Sequence, residues 1–177
     1  MAEIKPRYLV MVTASANNNK YYKQIHHGDS WTAEYGRVGS SPQRREYSMS
    51  QWESKYKEKL HKGYVDQSEL VEDLIRAEQP KKSEYREIEN KAIAEIVERL
   101  QAMARQAISD NYTISSNKVT QAMIDEAQDV LTSLLNATKI EEFNNILLKL
   151  FTVIPRKMGN VQDYLADSSK DFSKIIQ

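Results

Sequence analysis

Lys20-Tyr21-Tyr22-Lys23-Gln24-Ile25-His26-His27-Gly28-Asp29-Ser30-Trp31-Thr32-Ala33-Glu34-Tyr35 decides the N-terminal half. Aromatic and β-branched residues alternate with polar ones on both sides of His27-Gly28-Asp29, and two such runs around a glycine turn make a β-hairpin. Upstream, Tyr8-Leu9-Val10-Met11-Val12-Thr13 is a further strand, and Asn17-Asn18-Asn19 is a turn signal between it and the hairpin. Downstream, Gly36-Arg37-Val38-Gly39-Ser40-Ser41-Pro42 leads into a strand near Arg44 to Met49. Ser50-Gln51-Trp52-Glu53 has the spacing of a capping box. It opens a helix carrying Trp52, Tyr56 and Leu60 on one face, which Gly63 ends.

Beyond Ser83 the period becomes helical. Ile88, Ala92, Ile96, Leu100, Met103 and Ala107 fall on one stripe of a long amphipathic helix over 83–108. A second helix is expected from Thr120, with Val119 and Ile124 as a hydrophobic staple and Ala127, Val130, Leu131, Leu134 and Leu135 inward. Thr138-Lys139-Ile140-Glu141 is a capping box for a third, which buries Phe143, Ile146, Leu147, Leu150 and Phe151 and stops at Pro155. Short helices follow at 161–166 and from Ser169. The stretch from Tyr64 to Lys82, with a short helix at 70–77, connects the halves. The fold class is therefore α+β: a small antiparallel sheet with one packed helix in residues 1–79, then an all-α unit in 80–177. Because Phe172, Ile175 and Ile176 still lay down an apolar stripe near Gln177, the chain is expected to continue into a longer protein.

The chain has 177 residues, 40% hydrophobic and 28% charged, with no cysteine, so disulfides, thiolate metal sites and a cysteine nucleophile are excluded. No leader-like segment opens it and no run approaches the roughly 18 apolar residues of a membrane span. A cytoplasmic or nuclear protein without a membrane partner is expected. Lys+Arg and Asp+Glu balance at 25 each, but unevenly. Residues 1–63 carry 11 basic and 6 acidic side chains, a net +5, and residues 64–177 carry the compensating −5.

Catalysis finds little to work with. The three histidines, His26, His27 and His61, lie beside a turn and near a helix end, and no HExxH, GxSxG, GxxxxGK or GxGxxG occurs. Neither a metal site nor a cofactor is expected in this chain. The basic N-terminal face offers more: Lys20, Lys23, Arg37, Arg44 and Arg45 interleave with Tyr21, Tyr22, Trp31, Tyr35 and Tyr47. Cations suit phosphates and flat rings suit sugars and bases, although aromatics alternating in a small sheet also arise from cross-strand packing.

Asn19-Lys20-Tyr21-Tyr22-Lys23-Gln24-Ile25, then Trp31, then Tyr35-Gly36-Arg37-Val38-Gly39, the strand and the Trp52 helix together resemble the WGR domain. That domain occurs in poly(ADP-ribose) polymerases and bacterial proteins. Tyr35 stands where the family has the tryptophan that stacks on a sugar at a DNA break. The resemblance, over about residues 7–66, implies DNA binding at ends or nicks through Asn19, Lys20, Tyr21, Lys23, Tyr35, Gly36, Arg37, Arg44 and Arg45. Gly36 and Gly39 are read as positions of positive φ or close approach. Arg37 has two readings, a phosphate contact or an internal link to a carbonyl or carboxylate.

Val119 to Leu135, Phe143 to Leu150 and Leu150-Phe151-Thr152-Val153-Ile154-Pro155-Arg156-Lys157-Met158-Gly159 resemble, more loosely, the regulatory helical domain of those polymerases. In the family this domain restrains access to NAD, and an ADP-ribosyltransferase domain with a histidine-tyrosine-glutamate site follows it. No histidine occurs here after His61, so these residues are read as the non-catalytic DNA-sensing and regulatory portion of such a protein, with the transferase as its partner. The alternative is an interaction scaffold, in which the basic sheet contacts the acidic helical half or another protein without nucleic acid.

Overall fold

The computed structural model describes residues 4–71, 88–112 and 119–176. Five strands, β1 Arg7–Thr13, β2 Asn18–His27, β3 Ser30–Arg37, β4 Gln43–Ser48 and β5 Val65–Asp66, form one antiparallel sheet in the order β4-β3-β2-β1-β5. The α+β architecture read from the periods is the observed one. The β2–β3 hairpin turns at Gly28, whose φ of 81° suits glycine. The β1–β2 turn lies earlier than the Asn17–Asn19 reading put it: Asn17 takes the left-handed conformation (φ 46°) and its N–H donates to the Ala14 carbonyl, so Asn18 already pairs with Thr13.

Helix α1, Trp52–His61, lies across one face of the sheet. Leu9, Tyr22, Trp31, Ala33 and Trp52 make a buried cluster there, with Trp31 stacked on Tyr47 and edge-on to Trp52. Gln24 is fully buried in this layer and donates from Nε2 to the Trp52 carbonyl, and the Trp31 indole N–H donates to the Ser48 carbonyl. Ser50 does not cap α1 as expected. Ser48 caps a 3₁₀ turn, Met49–Gln51, that runs directly into α1 behind Gln51.

Three longer helices follow: α2 Lys91–Asn111, α3 Gln121–Asn136 and α4 Ile140–Val153. Short 3₁₀ turns at Val161–Tyr164 and Ser169–Asp171 then lead to α5, Phe172–Ile176. Thr120 caps α3 through the Met123 N–H, as its position implies. Thr138 does not cap α4; Lys139 occupies that position without a side-chain bond, and Glu141 and Glu142 in the first turn complement the helix dipole instead. Phe143 stacks on Phe172 with ring centroids 4.0 Å apart.

The amphipathic stripe on α2 lies open: no residue of α2 is buried, and Ile93, Ile96, Leu100 and Met103 are exposed. One reading of the helical half needs correction. On α3, Leu131 and Leu135 are exposed while Met123, Ala127, Val130 and Leu134 carry the contact with α4. The expected helix start at Ser83, most of the 70–77 helix and the 79/80 boundary lie outside the described residues.

The halves share a core. Tyr8, Val10 and Val12 of β1 pack with Leu134, Phe143, Leu147, Phe151, Met158 and Val161, while Leu9 between them packs under α1. Covered on both faces, β1 has the unbroken apolar run of a buried strand.

Candidate nucleic-acid interface

Alternate residues of a strand point to opposite faces, so the register sorts the nine candidate residues. Lys20 opposes Arg37, Tyr22 opposes Tyr35 and Ala33 opposes Arg45, which puts Lys20, Tyr35 and Arg45 on the α1 side. Tyr21 opposes Gly36, and Lys23 and Arg44 both oppose Glu34, on the side of the helical half. The candidates therefore do not form one surface.

On the second face the cations are compensated. Glu34, with 13% of its side chain exposed, lies 3.5 Å from Lys23 Nζ and 2.9 Å from Arg44 Nη2. Lys23 also sits over the Tyr8 and Tyr21 rings. Gly36 does not have a positive φ, and a Cβ there would meet only ordinary contacts, the nearest at 3.6 Å from the Ser41 carbonyl. The positive-φ reading of Gly36 is corrected accordingly, while Gly39 has the positive φ expected of it.

Arg37 and Asn19 are turned to the helical half. The Arg37 guanidinium donates to the Met158 carbonyl, to the Gly159 carbonyl at 2.6 Å, and to the Asn17 carbonyl and side-chain oxygens. Asn17 ties the same loop by accepting from the Val161 N–H. Asn19 is fully buried and donates from Nδ2 to the Arg156 carbonyl at 2.8 Å. The far side of the Arg156-Lys157 segment is held by α2: Lys157 N–H donates to the Asn111 carbonyl, and Tyr112 bridges to Arg156. Of the two readings of Arg37, the structure presents the internal link.

The open cationic surface lies on α1. Lys55, Lys59 and Lys62, the last just past the helix end, recur at i, i+4 and i+7, and exposed Lys20 from β2 is near enough to act on the Lys59 charge. Glu58, the one acid among them, accepts from Lys55 Nζ at 2.9 Å and from Lys62 Nζ at 2.5 Å; these bonds hold its carboxyl down to about 2. Lys59 is half-buried against rings, its Nζ 4.5 Å from the Tyr22 centroid, 5.3 Å from Tyr64 and 5.9 Å from Tyr35. Burial first, then the neighbouring Lys62 charge, pushes the Lys59 ammonium below the usual lysine range. Arg45 lies over the Tyr47 ring on the same side. Lys55, Lys59, Lys62 and Tyr64 escaped the sequence reading, although the lysine spacing on the Trp52 helix was available to find them. Among the described residues no group of three acids or histidines could hold a metal, and no helix is long and apolar enough to cross a membrane.

Comparison with known proteins assigns the sheet and α1. The WGR domain family matches residues 5–71. The uncharacterized protein 101L of Invertebrate iridescent virus 6 is 35% identical over 158 residues, 87% of this chain and 64% of that protein's length, so the chain spans less than two thirds of this relative. A crystal structure of a Bacteroides fragilis protein matches 78% of this chain and 39% of its own, at 14% identity and a TM-score of 0.33, too low to support an argument.

Proposed function

We propose, from the WGR domain at residues 5–71, that this chain binds nucleic acid through the α1 side of the sheet, DNA ends or nicks being the target. Its helical half reports occupancy, as the regulatory portion of a poly(ADP-ribose) polymerase-like protein whose transferase domain lies elsewhere. The observation that carries the reading is the cluster of four lysines, Lys20, Lys55, Lys59 and Lys62, beside Tyr35 and Tyr64, with Glu58 as the acid among them. Cations release counterions on meeting phosphates, and the adjacent rings offer stacking surface. The joint made by Arg37 and Asn19 with residues 156–159 supports the reporting role, because a ligand on the sheet edge acts on the helical half through it.

Gel retardation with nicked, 5′-phosphorylated duplex at two salt concentrations tests binding; affinity should fall steeply with salt, by about one logarithmic unit in slope per phosphate contact. Hydrogen exchange over residues 119–165 tests the reporting role, and identical protection with and without duplex would remove it. The second reading, a scaffold without nucleic acid, is favoured by the same Arg37 and Asn19 bonds, which turn two family DNA contacts inward. Absent or salt-insensitive binding selects it.

A further inference from the structure

We infer that Lys59 is the residue on which a backbone phosphate of the bound polynucleotide seats, its ammonium held at the mouth of a cup formed by Tyr22, Tyr35 and Tyr64. The inference rests on the nucleic-acid reading and assigns a site within it.

An ammonium has three donors and no acceptor. Lys55 and Lys62 each direct one of theirs to Glu58. Among the described residues Lys59 has no hydrogen-bond acceptor or ion-pair partner; it has ring faces, which attract the charge but leave the N–H groups unused. The charged groups facing it are Lys62 and Lys55 on α1, Lys20 on β2, and Glu58, whose carboxylate is already shared. Among the described residues the rings beside its ammonium are those of Tyr22, Tyr35 and Tyr64. A half-buried cation among three like charges is held at a cost that an arriving anion offsets, and the direction of the Lys59 shift agrees with that cost. Phosphate fits, with several acceptor oxygens for several free donors, and the partly buried Tyr35 and Tyr64 rings lie beside the ammonium, next to where the adjoining sugar would sit.

Binding should then be coupled to a proton. As pH rises through the lowered Lys59 value the free protein loses the charge, whereas the phosphate-bound form keeps it, so affinity falls and binding takes up protons in that window.

The test measures fluorescence anisotropy of a labelled 5′-phosphorylated duplex from pH 7 up to about 10.5, the usual lysine value, with the whole chain, Lys59→Met, Lys59→Arg and, as a surface-lysine control, Lys170→Met. Circular dichroism confirms that each variant is folded. Lys59→Met should bind at least tenfold more weakly at pH 7 and Lys170→Met within twofold. Lys59→Arg should stay within about threefold at pH 7 and lose the alkaline decline of the unsubstituted chain. Lys59→Met binding as tightly as the unsubstituted chain, or Lys59→Arg with an unaltered pH profile, overturns the site while leaving the nucleic-acid reading in place. Failure of the unsubstituted chain to bind at low salt overturns both.

Discussion

Gly39 rests against Lys157: a Cβ on Gly39 would lie 2.7 Å from Lys157 Cγ, and the Gly39 backbone has φ of 88°. The second glycine of the Gly36-Arg37-Val38-Gly39 turn thus leaves no room for a side chain between the sheet half and Lys157. Gly39→Ala should cost about 1–2 kcal/mol from backbone conformation alone, and more from the contact. Urea denaturation of Gly39→Ala, Lys157→Ala and the double variant separates the two: Lys157→Ala should recover the contact part and leave the conformational part. Full additivity would show that the residues do not meet in solution.

Arg37 is the polar counterpart of that contact. Arg37→Ala leaves the Met158 carbonyl without its donor and the Gly159 carbonyl with the Asn17 side-chain amide alone, and should destabilise the chain by roughly 1.5–3 kcal/mol. Arg37→Lys should recover little, because a single ammonium cannot span the carbonyls the guanidinium fork reaches. Native-state hydrogen exchange would locate the loss: amides of residues 156–161 should lose protection in both variants, while those of the β2–β3 ladder keep theirs.

Lys59 and the buried tyrosines give stability opposite dependences on pH. The folded chain disfavours the charged form of Lys59, so the unfolded state binds more protons in the window just below the usual lysine value, and stability rises with pH there. Lys59→Met should therefore be more stable than the unsubstituted chain at pH 7, with the gap narrowing as pH climbs. Thermal melts across pH 7 to 10 measure this.

Tyr8 and Tyr22 act the other way. Burial raises both, Tyr8 with help from Tyr21 and Tyr22 with help from Tyr47, so the folded state keeps phenol protons that the unfolded chain releases above about pH 10. Stability should fall with pH beyond that point. Tyr8→Phe should move the alkaline unfolding midpoint upward, followed by tyrosinate absorbance.

The open stripe of α2 and the closed one of α4 make a contrast in cost. Leu100→Gln should change stability by no more than about 0.5 kcal/mol, and Phe143→Ala, at a fully buried ring, should cost about 3–5 kcal/mol. Equal effects at the two positions would mean that the α2 stripe is covered in solution.

The sheet was legible because its signals are local. Alternation across Lys20 to Tyr35, the glycine at 28 and the tryptophan opening α1 each act within a few residues, and the ladder follows them. The candidate interface is less legible because a resemblance follows the chain residue by residue, whereas the β period of two sends neighbours to opposite faces. Tyr21 and Lys23 belong to the helical side, Lys20 and Tyr35 to the α1 side. Arg37 was ambiguous since its partners are backbone carbonyls 121 and 122 residues away, which no local pattern announces. The α2 stripe shows a related limit of pattern: spacing defines an apolar face without saying what meets it.

Strand β1 belongs to both halves at once, with Leu9 under α1 and Tyr8, Val10 and Val12 against the helices. Cutting the chain after the match at residue 71 would strip a sheet face of its cover and leave a greasy slab in water, prone to self-association. A truncated sheet fragment that clumps with DNA would then say nothing about recognition, and the shortest piece worth assaying carries its helices with it.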